Sequence, residues 1–221
     1  MSGSNSSNPA DSAAEPPHRA ASRRSARGRW AMLLIVLACA APVVASYLTF
    51  YVIRPEGRGN YAALIDPARE MPAALVMTAL DGQAVAAREL RGQWLLVAVG
   101  SADCDGVCEK RLYAQRQLRE MTGRQRERID KLWLVTDNAP IRAELLAALA
   151  SAPATRVLRV DGRQLGAWLA AAPGESLASH LYLVDPMGRW MMRAPAALEP
   201  ARFKLDLERV LRASSSWDTS G

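Results

Sequence analysis

No charged residue interrupts the chain between Trp30 and Ile53. A stretch of that length without charge is not the surface of a water-soluble domain. Residues 1–29 lack any large aliphatic side chain after Met1. They cannot bury enough apolar surface to offset the entropy of ordering, so a disordered tail is expected. The remainder contains no glycine-rich phosphate loop, no internal repeat and no paired-carboxylate constellation, which removes the usual warrants for phosphate-loop chemistry, solenoids and two-carboxylate catalysis. Histidine is scarce, with two in the chain: His18 in the tail and His180 near the end. Half of the formal net charge of +6 lies in the arginine-rich tail, and no basic stripe interleaved with aromatics follows. Arg111 to Arg128 alternate with Glu120 and Glu127, as on a solvated helix face. Nucleic acid is therefore not an expected partner.

What is present begins with the uncharged run. As a helix, residues 30–53 would extend about 36 Å and span a hydrocarbon core of about 30 Å with some tilt. Trp30, Tyr47 and Tyr51 suit its interfaces, and Pro42 lies where a kink is expected. Arg19, Arg23, Arg24, Arg27 and Arg29 precede it, so the positive-inside rule leaves residues 1–29 in the cytoplasm and exports the rest. The lipid bilayer is thus one expected partner. Two other readings stay open: a cleaved signal peptide, or lipidation at Cys39, since Val36-Leu37-Ala38-Cys39 loosely resembles a lipoprotein box. All three export the domain.

A linker is expected over 54–71, one domain over 72–213 and a disordered Ser-rich tail over 214–221. Within the domain, residues 74–80 and 83–87 flank Asp81-Gly82, a strong hairpin signal. Trp94 to Val99 is an unbroken apolar run that reads as a buried strand. Further strands are expected at 131–136, 156–160, 180–184 and 189–193, the last two around the turn Asp185-Pro186-Met187-Gly188. Helices are expected after the central strand and at 139–150, 163–172 and 199–213. This order is α/β with a mixed sheet flanked by helices, preceded by one transmembrane helix.

The chemistry concentrates immediately after the central strand. Cys104 and Cys108 flank three residues, and apolar Val107, Leu112, Leu118 and Met121 recur at helical spacing until Gly123. Cys108 should occupy the first helical turn, where exposed N–H groups and the helix dipole favour thiolate. With both cysteines on one helix face, the Cα atoms would lie about 6 Å apart, so the pair can close as a disulfide or chelate a soft metal. A purely structural disulfide is the alternative, although a loop this short stabilises little by chain entropy. Met187, Met191 and Met192 are expected to pack rather than ligate. His180 is the one histidine of the domain, either bonded to backbone or a ligand.

Several of these residues resemble the Sco/SenC family of cytochrome c oxidase assembly factors, within the thioredoxin-like superfamily. They are Leu80-Asp81-Gly82-Gln83, Leu90 to Val97, the Cys104-to-Cys108 spacing, Val135-Thr136-Asp137, Tyr182 to Gly188, and Asp206 to Leu211. The resemblance implies a thioredoxin-like fold and copper held by Cys104, Cys108 and His180. It implies service to the copper site of oxidase subunit II, or to other oxidase assembly factors, as metallochaperone or thiol reductant at a bacterial inner membrane with the domain periplasmic. It also implies that Asp137 meets the family's acidic residue. Two departures are visible: the family's usual histidine position aligns with Leu177, and Asp105 and Glu109 replace prolines, placing carboxylates where they oppose thiolate. A general thiol–disulfide oxidoreductase and a redox-inactive tethered module are the alternative functions.

Overall fold

The computed structural model describes residues 21–48 and 59–214; expectations for 1–20, 49–58 and 215–221 fall outside the described residues. Two compact units separate, dividing after Gly57. In the first, α1 (Ala21–Leu48) contains Pro42 and an apolar stretch, Gly28–Leu48, with mean hydropathy 2.3. By length and composition this stretch is able to cross a membrane. The helix begins inside the segment expected to lack structure. Alanine and arginine are good helix formers, and charge alone does not stop a helix.

The second unit is built on one eight-stranded sheet. Its strands are β1 (Ala63–Glu70), β2 (Val76–Ala79), β3 (Ala84–Ala86), β4 (Trp94–Gly100), β5 (Ile129–Val135), β6 (Arg156–Val160), β7 (Leu181–Val184) and β8 (Arg189–Arg193), in the spatial order β1-β8-β7-β4-β5-β6-β2-β3. β4, β5 and β6 run parallel, while β7 pairs antiparallel on the other side of β4. The mixed sheet and its helices form the expected thioredoxin-like fold. The helices are α2 (Gly106–Met121), α3 (Ala143–Ala150), α4 (Gly162–Trp168) and α5 (Pro200–Ala213).

β4 explains why its sequence is apolar without alternation: it has helices over both faces, and all its residues are buried. Trp94, Leu96 and Ala98 pack with Leu112 and Leu118 of α2, Leu149 of α3, and Phe203, Leu207 and Leu211 of α5. Leu95, Val97 and Val99 face the opposite layer with Leu165 and Trp168 of α4. A strand buried on both sides is the pattern expected where helices flank a sheet.

The expected linker over 54–71 requires correction, since β1 lies within it. Ala63 pairs with Arg193 and Glu70 with Arg189, with a register shift between Leu64 and Arg69. Asp66, Pro67 and the adjacent charges of Arg69 and Glu70 break the alternation by which a strand is recognised; they are tolerated because β1 is an edge strand. Its start is tied to α5, because Ala62 N–H donates to Asp206 Oδ2 at 2.8 Å.

Candidate dithiol site

Parallel pairing of β4 with β5 brings the ends of both strands together, and the site is built there. Thr136 N–H donates to Gly100 O at 3.0 Å, closing the ladder just beyond the last strand pair. Asp137 then turns its carboxylate to the loop after β4 and accepts Ala102 N–H at 3.3 and 3.2 Å. The same carboxylate accepts Ala139 N–H at 3.1 Å. A residue beyond β5 thus holds the cysteine loop in place.

Cys104 and Cys108 are joined in a disulfide with Cα atoms 5.1 Å apart. Only Cys108 is helical, which corrects the expectation of both on one helix face. Asp105 caps α2, accepting Val107 N–H at 3.1 Å and Cys108 N–H at 2.9 Å, so the helix starts after Cys104. Cys104 remains in the loop with φ of 39°, a left-handed conformation uncommon for residues other than glycine. Its carbonyl accepts Arg142 Nη2 at 2.9 Å. Asx capping at α2 was not foreseen, although Asp followed by helical spacing is the signal that marks it.

The two sulfurs differ in access. Cys104 is 0% exposed, whereas Cys108 is only partly buried. Cys108 lines a cleft of about 340 Å³ with Gly100, Ser101, Asp103, Arg111 and Ser179; Cys104 does not line it. Arg111 donates to Ala178 O. Burial lowers its pKa, opposed by nearby Asp105, Tyr182 and Glu175, yet a guanidinium so lowered remains a cation near neutrality.

The carboxylates flanking the cysteines are engaged elsewhere. Asp105 accepts the helix-start N–H groups, and Glu109 forms an ion pair with Arg142, whose pKa rises because of that hydrogen bond. Their expected repulsion of a thiolate is thereby offset. Arg142 was missed from sequence, because a lone arginine ahead of a short helix carries no local signal of what it reaches.

His180 is not brought to the sulfurs as a donor. It follows the short 3-10 helix Leu177–Ser179 as its C-cap, just ahead of β7, and is 1% exposed. Nδ1–H donates to Ala194 O at 2.8 Å, and Nε2 accepts Ala172 N–H at 3.1 Å, which defines the neutral Nδ1–H tautomer. Burial lowers its pKa first of all, against the bond to Ala194. The ring lines a separate cavity of about 350 Å³ with Tyr61, Ala172 and Arg193. Among the described residues no cluster of three or more His, Cys, Asp or Glu side chains could hold a metal ion. The methionines divide: Met192 is buried and Met191 packs against the core as expected, whereas Met187 is exposed at the turn.

Residues 94–214 match the sequence profile of a family described as transmembrane-like, thioredoxin-like, C-terminal domain. Among curated proteins none matches the chain. Among solved structures, Arabidopsis thaliana ScoI with copper bound is 11% identical and covers 63% of this chain and 96% of its own, with a TM-score of 0.51. Yeast Sco1 with copper bound is 14% identical and covers 70% of this chain and 96% of its own, with a TM-score of 0.50. At these identities the likeness is one of fold.

Proposed function

Because the chain belongs to the family of transmembrane-like, thioredoxin-like C-terminal domains, we propose that it is a membrane-anchored thiol–disulfide exchange factor for oxidase assembly. Its N-terminus is cytoplasmic and its domain faces the periplasm of a bacterial inner membrane. Its substrate is the cysteine pair of the copper site in cytochrome c oxidase subunit II, which must be reduced before it can hold metal. The observation that carries this reading is the unequal access of the sulfurs, Cys108 in a cleft at a helix start and Cys104 fully buried.

In the reduced protein Cys108 is the attacking thiolate, favoured by the N-terminal end of α2. It bonds to one sulfur of the partner disulfide, whose S–S bond breaks and whose second sulfur leaves as a thiolate and takes a proton. Cys104, after losing its proton, attacks Cys108 Sγ and releases the partner's first sulfur. The partner gains two electrons and two protons, and this chain returns to the disulfide. A small-molecule or protein dithiol on the same side of the membrane restores the reduced pair.

Copper binding is the second reading, supported by the copper-bound Sco structures of like fold and by the softness of two thiolates. The donor set here fits a dithiolate Cu(I) site in the reduced protein. It does not fit a three-donor site, because both His180 nitrogens are held by backbone.

The test uses the full chain in detergent micelles with the oxidised copper-site domain of an oxidase subunit II. Cys104→Ser retains the attacking sulfur but lacks the resolving one, so it should accumulate a mixed disulfide; Cys108→Ser should accumulate none. The reduced unaltered chain should deliver the domain in dithiol form. Equal trapping by both variants, or trapping by neither, overturns the assignment.

A further inference from the structure

Trp133 lies within β5, 0% exposed, and its indole nitrogen is a buried donor with no hydrogen-bond partner among the described residues. Such a group is costly to leave unpaired, and native interiors seldom do so without a use for it. The nearest use is across the sheet. Gly100 closes β4, and a Cβ at this glycine would stand 3.3 Å from Cys108 Sγ and 3.3 Å from Trp133 Nε1. The sulfur and the indole nitrogen therefore border one small space, separated by no more than twice that distance. Glycine keeps the space between them clear.

In the disulfide, Cys108 Sγ is neutral and bonded to Cys104, and it makes no hydrogen bond with the indole. Reduction changes both conditions. The sulfur is released from Cys104, is able to turn about its Cα–Cβ bond, and as thiol or thiolate becomes a better acceptor. We propose that the Trp133 indole N–H donates to Cys108 Sγ in the reduced protein, making Trp133 a positioning residue that stabilises the dithiol over the disulfide. The inference rests on Cys108 being the exchanging sulfur and explains why an aromatic with an N–H donor occupies this core position.

The experiment uses the full chain in micelles, equilibrated with dithiothreitol redox buffers, and a parallel sample with isotope-labelled indole nitrogens. Trp133→Phe keeps an aromatic ring but removes the donor. Its dithiol/disulfide equilibrium should shift about tenfold toward the disulfide, equivalent to about 30 mV more negative for a two-electron couple. In the unaltered chain, reduction should move the Trp133 indole N–H resonance downfield and slow its exchange with solvent. A general packing defect lowers the stability of both redox states and leaves the equilibrium between them unmoved. An unchanged equilibrium in folded Trp133→Phe, or an unmoved resonance on reduction, overturns the inference; if the variant does not fold, the resonance alone decides. A pair that reduces and exchanges while Trp133 stays silent refutes only this inference. A disulfide that dithiothreitol does not reduce refutes the exchange function and this inference together.

Discussion

Asp137 and Ala102 are joined by a carboxylate that reaches back from the end of β5 to accept the N–H of a fully buried loop residue, at 3.3 and 3.2 Å. The cysteine loop owes its position to this bond as much as to its own sequence. Asp137→Ala leaves that N–H without a partner and also removes the bond to Ala139, at a cost of about 1–3 kcal/mol. Asp137→Asn retains one acceptor oxygen and should lose less. Urea denaturation of the two variants beside the unaltered chain checks the order; equal losses would mean that a neutral amide oxygen does not replace the carboxylate as acceptor.

Asp105 acts on the other side of the loop, where its carboxylate accepts two N–H groups of the first turn of α2. Asp105→Ala should destabilise the domain by about 1 kcal/mol, the usual loss for an N-cap, while Asp105→Ser or Asp105→Asn should restore most of it. Thermal unfolding of the three variants provides the comparison. No difference between Ala and Ser at this position would show that the cap is dispensable.

Much of this arrangement was legible in the sequence, for identifiable reasons. The unbroken apolar run of β4 announces a strand covered on both faces, and Asp81-Gly82 announces the β2–β3 hairpin. The two cysteines and the helix after them are written in local spacing. β1 was hidden because an edge strand can carry Asp66, Pro67 and Arg69 without penalty, so it lacks the alternation that signals a strand. The environment of His180 was hidden for a different reason. Its partners are the backbone of Ala172 and Ala194, and a backbone group leaves no mark in the sequence. The alignment of Leu177 with the family's usual histidine position was the one readable warning. Trp133 could be read only as a core aromatic, since its relation to Cys108 depends on the register of β4 against β5.

His180 should make stability depend on pH. Burial holds its folded pKa below the ordinary 6.5, with Arg193 and Arg111 adding to the effect and Glu175 and the Ala194 bond opposing it. As pH falls, the unfolded chain takes up this proton first. The contribution is therefore complete above about 6.5 and is lost as pH drops below it toward the folded value. His180→Gln, which does not titrate, should show a flatter profile between about pH 7 and 5. Chemical denaturation at intervals across that range gives the difference. Parallel profiles would mean that the imidazole titrates alike in both states.

The same geometry separates the cysteines from His180 in metal binding. The reduced full chain should take up Cu(I) in an anaerobic competition titration, and Cys104→Ser/Cys108→Ser should abolish uptake. His180→Ala should leave the affinity unchanged, because a ligating ring would first have to surrender its bonds to Ala172 and Ala194. Loss of even an outer-shell partner of a metal site typically weakens affinity about 10–100-fold, so the distinction is measurable. A loss of that size in His180→Ala would show that metal draws the ring out of its backbone cradle.

Gly100→Ala provides the sharpest test of packing at the site. The added methyl would meet Cys108 Sγ and Trp133 Nε1, each at 3.3 Å, closer than ordinary carbon contacts. In the oxidised protein neither neighbour yields readily: the sulfur is tied to Cys104, and the indole is enclosed in the core. The substitution should therefore cost about 1–3 kcal/mol, as overpacking of a filled core does. Reduction frees the sulfur, but the methyl then fills the space in which Cys108 Sγ meets the indole N–H, so the loss should be at least as large in the dithiol form. Denaturation of both redox states, with and without the substitution, measures the difference. A smaller loss on reduction would show instead that the freed sulfur turns away from the indole, leaving room for the methyl.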